Sequence, residues 1–392
     1  HGIGKCANAI FYPRGLCGKI PRHRAASTDR QTQLGGTFNR DSGIEEEGSM
    51  QVSSRIRRSV ICAAIVAAGA VSGGAWAQEK ITVGALRFTS HAPTFIAYER
   101  GYFKQEGLDV ELKFFQAAQP VAVAIASGDI DFGITALTGG YFNLADKGAL
   151  KIVGGLFAEK KGYKGMAIMA SNKAYAAGMT SPAKIKGHSV AITQVGSSFH
   201  YMTGMIAAKY GFGMSDVSLK PLQKVGSMIG AVKSGQVDAM MMVPHVAIPL
   251  DKAKAAKIIG WMSDLGPYQV TTIFTSTRNT AERQVQVKRF MRAYKKGIAD
   301  YRAVMLNQKK DPAATEAMVK LIHKYVYADR PYEKAAPGIK AGAVYINEGA
   351  ALDVGNVKKQ LDWFKAQGLV KTKMTYKDLI ATGYADMFDV PK

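Results

Sequence analysis

From Lys80 onward the apolar positions switch between two periods. Short continuous apolar runs read as strands, and runs with apolar residues three and four apart read as helices. Lys80–Arg87 predicts a first strand and Phe88–Ala92 a polar turn; Pro93 suits the first turn of a helix reaching about Arg100. Further strands are expected at Val110–Phe115, Leu150–Phe157, Lys164–Ala170, Ser189–Thr193, Val217–Pro221, Ala255–Ile259 and Gln269–Thr275. Helices alternate with them, at Val121–Ala126, Tyr141–Lys147, Ser198 to about Tyr210, and Ser227–Lys233. Past Thr280 the pattern is helical. Val287, Met291, Tyr294, Ile298 and Tyr301 share one face, Asp311-Pro312 opens another helix, and Asn356–Gln367 ends at Gly368.

One stretch occurs twice. Ala124-Ile-Ala-Ser-Gly-Asp-Ile-Asp-Phe-Gly133 returns 107 positions later as Ala231-Val-Lys-Ser-Gly-Gln-Val-Asp-Ala-Met240. Each copy reads as a helix end, a glycine cap and a short strand, with an acidic residue (Asp131, Asp238) early in the strand run. A helix–Gly–strand unit used twice predicts two α/β lobes of similar build. Strands alternating with helices argue for parallel sheets, whose ligands bind outside the carboxyl ends of the strands. That rule nominates the loops 87–92, 135–140, 194–200 and 243–248, two from each lobe, and therefore a cleft between lobes.

The front of the chain is of another kind. Residues 1–49 show no apolar periodicity and have the makeup of a non-native or disordered extension. Residues 50–77 carry Arg55, Arg57 and Arg58, an apolar run from Val60 to Val71, and Ala75-Trp-Ala77. This is the pattern of a signal peptide cleaved near Ala77, and it predicts export to the periplasm. All three cysteines (Cys6, Cys17, Cys62) lie before that point, which leaves no disulfide, thiolate nucleophile or Cys metal ligand after it. The remaining 315 residues are enough for two lobes with substantial cores. The net charge is +22; residues 1–49 hold +2 and 50–77 hold +3, leaving about +17. The basic residues are dispersed and not interleaved with aromatics, which argues against a nucleic-acid partner and for either a solvated surface or a field that gathers anions.

Several residues in the nominated loops carry candidate chemistry. Gly196-Ser197-Ser198 stands at a strand-to-helix turn, where free N–H groups and two hydroxyls suit an oxyanion. Thr138, in Ala136-Leu-Thr-Gly-Gly140, plays the matching part in the first lobe. Arg87 is placed to pair with a carboxylate, and Phe88 and Phe199 to sandwich an apolar body. Ser90 and His91 close the first loop, and His245 follows the second repeat strand. His200 reads as packing, and three histidines without neighbouring carboxylates make no metal site.

Ala97-Tyr-Glu-Arg-Gly-Tyr-Phe-Lys-Gln-Glu-Gly-Leu-Asp-Val-Glu111 resembles the A-x-E-x-G-Y-F-x-x-E-G-L-D-V-E signature of the nitrate/sulfonate/taurine-binding (SsuA/TauA, NMT1/THI5-like) family. Ala126–Gly133, Ile185–Gly187, Gly235–Ala239 and Gln360–Val370 add to the resemblance. It implies a type II periplasmic binding protein fold with two lobes, two crossover strands as hinge and a C-terminal helical tail on the first lobe. The expected division is 78–168 with 270–392 as lobe I and 169–269 as lobe II. It also implies a non-enzymatic solute-binding role, with no cofactor, a monomeric chain and an ABC permease as partner. The expected ligand is a small organic anion, a carboxylate (possibly aromatic) or a sulfonate. His91 resembles the His of the N-H-T-G segment of pyrimidine-precursor binders, but their preceding W-x-P-N is missing. A thiamin-precursor binder and a periplasmic ligand sensor are the alternatives. Hydrolase motifs such as G-x-S-x-G and H-E-x-x-H are absent from the sequence.

Overall fold

The structure, a computed structural model, describes residues 78–392, so the signal-peptide reading and the three cysteines lie outside the described residues. In chain order the elements are β1 (Glu79–Ala85), α1 (Ala92–Glu99), β2 (Leu108–Phe114), α2 (Ala118–Ala126), β3 (Phe132–Thr135), α3 (Gly139–Asp146) and β4 (Leu150–Gly155). A short β5 (Ala158–Glu159) leads to β6 (Ala167–Ala170), β7 (Ser189–Ile192), α4 (Ser198–Tyr210), β8 (Ser218–Pro221), α5 (Val225–Lys233), β9 (Ala239–Met242), α6 (Pro244–Lys252) and β10 (Lys257–Trp261). The chain returns through β11 (Tyr268–Gln269) to β12 (Thr272–Ser276), and ends in α7 (Gln284–Met305), α8 (Pro312–His323), α9 (Tyr332–Ala341) and α10 (Val354–Ala366).

Two five-stranded sheets result, ordered β2-β1-β3-β12-β4 and β10-β6-β9-β7-β8. The duplicated stretch marks a duplicated architecture. Helices α2 and α5, and strands β3 and β9, stand 107 positions apart at both ends. The repeated acidic residue has one job in both sheets. Asp131 Oδ2 accepts the Thr82 N–H of β1 at 2.8 Å, and Asp238 Oδ2 accepts the Ser189 N–H of β7 at 2.9 Å. In each sheet one antiparallel strand, β12 or β6, is the one that has just crossed from the other sheet. Between the sheets β5 pairs antiparallel with β11, so the two crossings run side by side.

Each sheet has an apolar centre. In the first, Phe132 stacks on Phe290 of α7 with centroids 3.8 Å apart, and Tyr141 meets Phe274 edge-on. In the second, Met240, Met241 and Met242 of β9 are all buried with Ile168 and Met169 of β6. Helix α7 lies across α1 so closely that a Cβ at Gly297 would stand 2.5 Å from the Pro93 carbonyl oxygen and 2.9 Å from the Ala97 Cβ. Gly297→Val should therefore cost roughly 2–3 kcal/mol by forcing the helices apart. Urea denaturation checks this; a midpoint unchanged from the parent would mean that the crossing yields freely.

The tail packs on the first lobe through α7 and α8, and it also reaches the second sheet's helices. The backbone at Gly342, after α9, lies against His245 of α6, and Trp363 of α10 lies over Gly204 of α4. Pro337 inside α9 hid that helix from the sequence pattern. The nominated loop 243–248 is largely the first turn of α6, because Pro244 occupies its first position with φ already set for a helix.

Candidate ligand pocket

The carboxyl ends of β1, β3, β7 and β9 face one another across the sheets, and an internal pocket lies among them. The space open to the centres of water molecules is about 50 Å³ in this state, within about 500 Å³ of space between atoms that includes open solvent. Its wall is duplicated like the fold. Leu86, His91, Ala118 and Ala136 line it from the first lobe; Thr193, Ser198, Val225 and Val243 stand 107 positions further on and line it from the second. Phe157 from one crossing and Val270 and Thr271 from the other close the back. Phe88, Phe199, Met166 and Met202 make most of the remaining surface apolar, and no Lys, Arg, Asp or Glu lines it.

Beside the hydroxyls of its serines and threonines, the pocket's positive character comes from backbone. Its lining includes the N-cap or first residues of α2 (Ala117, Ala118), α4 (Ser198, Phe199), α5 (Val225) and α6 (Val243). None of these helices carries an acidic residue in its first turn. Four helix N-termini, each with a partial positive charge, thus converge on an apolar space with no carboxylate to neutralise them. At α4 the Ser197 Oγ caps the His200 N–H, while the N–H groups of Ser198 and Phe199 have no acceptor among the described residues. Such a cavity favours an anion over a cation.

His91 is held in one form. Its Nε2 lies 2.8 Å from the Ile134 carbonyl oxygen, which can only accept, so Nε2 carries the proton. Nδ1 is then the acceptor for the Ser90 hydroxyl at 3.2 Å. Burial lowers the His91 pKa to about 4 despite that carbonyl bond, so the ring is neutral at ordinary pH. An imidazole with so low a pKa is a weak general base for the Ser90 hydroxyl beside it.

Six of the eleven residues named from sequence line the pocket: Phe88, Ser90, His91, Ala136, Ser198 and Phe199. The other five stand around it. Thr138 caps α3 by accepting the Tyr141 N–H and donates to Gln119. Ser197 caps α4, and the Gly196 N–H donates to the His200 ring at 3.1 Å, which also accounts for His200 as packing. Arg87 is exposed: its guanidinium lies 3.8 Å over the Phe114 ring and donates to the Tyr325 carbonyl, so no cation reaches the pocket from β1. His245 is buried one layer behind Phe88, its ring 5.4 Å from that of Phe88. The Thr89 hydroxyl donates to the Gly342 carbonyl, so His245 Nδ1–H donates to Thr89 at 3.1 Å. Burial, with His91 nearby, lowers the His245 pKa to about 3.

The sequence reading missed the crossing residues Phe157, Val270 and Thr271, and the strand-end residues Thr135 and Thr193. The strand ends had a signal, since each is the last or next residue of a strand entering a nominated loop. The crossings had none beyond being apolar.

The two lobes touch beside the pocket. The Gly139 N–H at the start of α3 donates to the Gly196 carbonyl at 2.8 Å, and the Val225 N–H reaches the Gln116 carbonyl at 3.5 Å. With the Thr89–His245 bond, three contacts join the strand-end loops of one lobe to those of the other.

Two α/β lobes joined by paired crossings, with a pocket at their facing strand ends, define the fold known as the type II periplasmic binding protein fold. A family profile described as NMT1/THI5 like matches residues 88–304, more than half of the chain, and the chain belongs to that family. Solved structures agree on the fold. The alkanesulfonate-binding protein SsuA from Xanthomonas axonopodis pv. citri, bound to MOPS, superposes with a TM-score of 0.61 at 19% identity, over 77% of this chain and 98% of that one. The aliphatic sulphonate binding protein SsuA from Escherichia coli gives 0.60 at 18%, over 77% and 97%. The nitrate-binding protein NrtA from Synechocystis PCC 6803 gives 0.58 at 14%, over 76% and 84%. No curated protein sequence matches the chain.

Proposed function

We propose that this chain is the periplasmic solute-binding component of an ABC importer. It captures a small organic anion, a carboxylate with an apolar or aromatic body or a sulfonate, and presents it to a membrane permease. The observation that carries this reading is the convergence of four helix N-termini, without acidic first turns, on an apolar pocket without charged side chains. The acid group would sit against the free N–H groups of Ser198 and Phe199 and the Ser198 hydroxyl, and its body among Phe88, Phe157 and Met202. Burying an anion this way costs less than leaving it unpaired, because oriented amides replace its hydration. The role needs no catalytic group, and the weakly basic His91 supplies none.

The test is a thermal-shift and calorimetric screen of residues 78–392 against small carboxylates and sulfonates. A ligand at a hundred times its Kd adds about 2.7 kcal/mol of stability by mass action, which the melt reads directly. Met202→Trp, which fills the pocket, should abolish the shift without lowering the melting temperature of the free chain by more than a few degrees. Cations or neutral sugars binding in preference to acids would sink the proposal.

A further inference from the structure

Helix α7 has two faces of opposite character. One is buried: Phe290 stacks on Phe132 of β3, and the Tyr294 hydroxyl meets that of Thr94 in α1 at 2.8 Å. The other is basic. The helix holds six Lys or Arg residues against one acidic residue, Asp300. Lys288, Arg292, Lys295 and Lys296 recur at steps of three and four along its outer side, with Arg289 beside them. Lys104, next to the Gln105 that Lys296 reaches at 3.4 Å, adds a further exposed cation. The nearby carboxylates are already engaged: Glu106 with Arg292 at 2.7 Å, Asp300 with Arg100 at 2.6 Å and Glu79 with Arg283 at 2.9 Å. Lys104, Lys288, Arg289, Lys295 and Lys296 therefore make no ion pair among the described residues. Val285, one turn before Lys288, is 65% exposed, more than any other large apolar side chain among the described residues.

From this face we infer that the chain docks peripherally on an anionic lipid surface, with the outer side of α7 against the headgroups. An exposed apolar residue beside a row of cations is the pattern of a helix that lies on a membrane surface. The unpaired set is four lysines and one arginine. Ammonium groups on flexible stems suit single point contacts with a fluid layer of phosphates, whereas the fixed carboxylates of a folded partner reward the bidentate fork of arginine. Each cation near such a surface adds its own attraction, so five together give an adhesion that salt weakens. Docking there leaves the pocket clear, since none of these residues lines it. It is independent of the solute-binding reading.

Co-sedimentation of residues 78–392 with vesicles of mixed phosphatidylglycerol and phosphatidylcholine, against phosphatidylcholine alone, is the test. The parent should bind only the anionic vesicles, and about tenfold more weakly when NaCl rises from about 0.05 to about 0.5 M. Lys104→Gln combined with Lys288→Gln, Lys295→Gln and Lys296→Gln should weaken binding at least about tenfold. Gln is a good helix former, so α7 is kept. A control removes the same charge from exposed positions around the second sheet: Lys173→Gln, Lys209→Gln, Lys220→Gln and Lys233→Gln. It should stay within about threefold of the parent. Equal losses in the two variants, or binding to neither kind of vesicle, overturns the inference. So does a parent chain that ignores anionic vesicles yet is held on polyglutamate through the α7 lysines, which assigns the face to an acidic protein. In each case the solute-binding reading stands, because it is read from small acids in the pocket.

Discussion

Between pH 6.5 and 9 the chain should lose about 2 kcal/mol of folding stability through one residue of the hinge, and Glu159→Gln should not lose it. Glu159 is the last residue of β5, in the first crossing, and is 2% exposed. Its Oε1 accepts the Met166 N–H at 2.8 Å, while Oε2 has no partner and is wedged where a Cβ of Gly165 would otherwise stand. Burial raises its pKa to about 8 against the pull of that N–H, and Asp264 nearby pushes the same way. The buried Tyr268 hydroxyl, also unpartnered, belongs to the other crossing. A carboxyl whose folded pKa lies above its unfolded value adds stability that is complete below the unfolded pKa and is lost as pH rises through the folded one. The window is therefore about pH 4.5 to 8, falling by about 1.4 kcal/mol per pH step and flattening above 8. His91 and His245 have lowered pKa values, so they contribute stability that is lost on acidification, below about pH 6.5. The unfolded rings are still half protonated at pH 6.5, so the Glu159 contribution is read as the difference between the parent and Glu159→Gln, in which the histidine part cancels. Urea titrations at both ends check it, and a parent chain as insensitive as Glu159→Gln would show that the hinge carboxyl is solvated.

The second large effect concerns closure. Gly139 and Gly196 meet backbone to backbone across the lobes, and a Cβ on Gly139 would already stand 3.7 Å from Gly196 and 3.5 Å from Phe364. The first methyl fits, but the γ-methyls of Val have nowhere to go unless the lobes part. Gly139→Val should weaken binding of the tightest acid at least tenfold, which corresponds to about 1.4 kcal/mol. The melting temperature of the ligand-free chain should fall by only a few degrees, through crowding against Phe364, because the clash with Gly196 exists only with the lobes together. Small-angle scattering should show a ligand-loaded variant more expanded than the loaded parent. Unchanged affinity would mean that the lobes need not meet at these two glycines for the ligand to be held.

How far the sequence reached can be seen residue by residue. Phe88, Ser90, His91, Ala136, Ser198 and Phe199, which stand in the pocket wall, were nominated because strand-end loops are where a parallel sheet binds, and the 107-residue echo located those loops twice. Arg87 misled because strand alternation leaves a side chain's direction open; the Phe114 ring and the Tyr325 carbonyl, from distant parts of the chain, draw it outward. Ser197 and Thr138 were placed at the right turns, but each hydroxyl serves its own helix.

The sequence by itself determined the duplication, the alternation of strand and helix, and the order in which the chain visits its two lobes. Those follow from local periodicity and from acidic, glycine and proline residues acting on near neighbours. Only the tertiary structure decided that the pocket has no charged side chain, that its positive character comes from four helix ends, and that His91 is neutral with its proton spent on Ile134. Those properties arise from groups far apart in the chain sharing one water-poor space, where burial and orientation, not residue type, set the field.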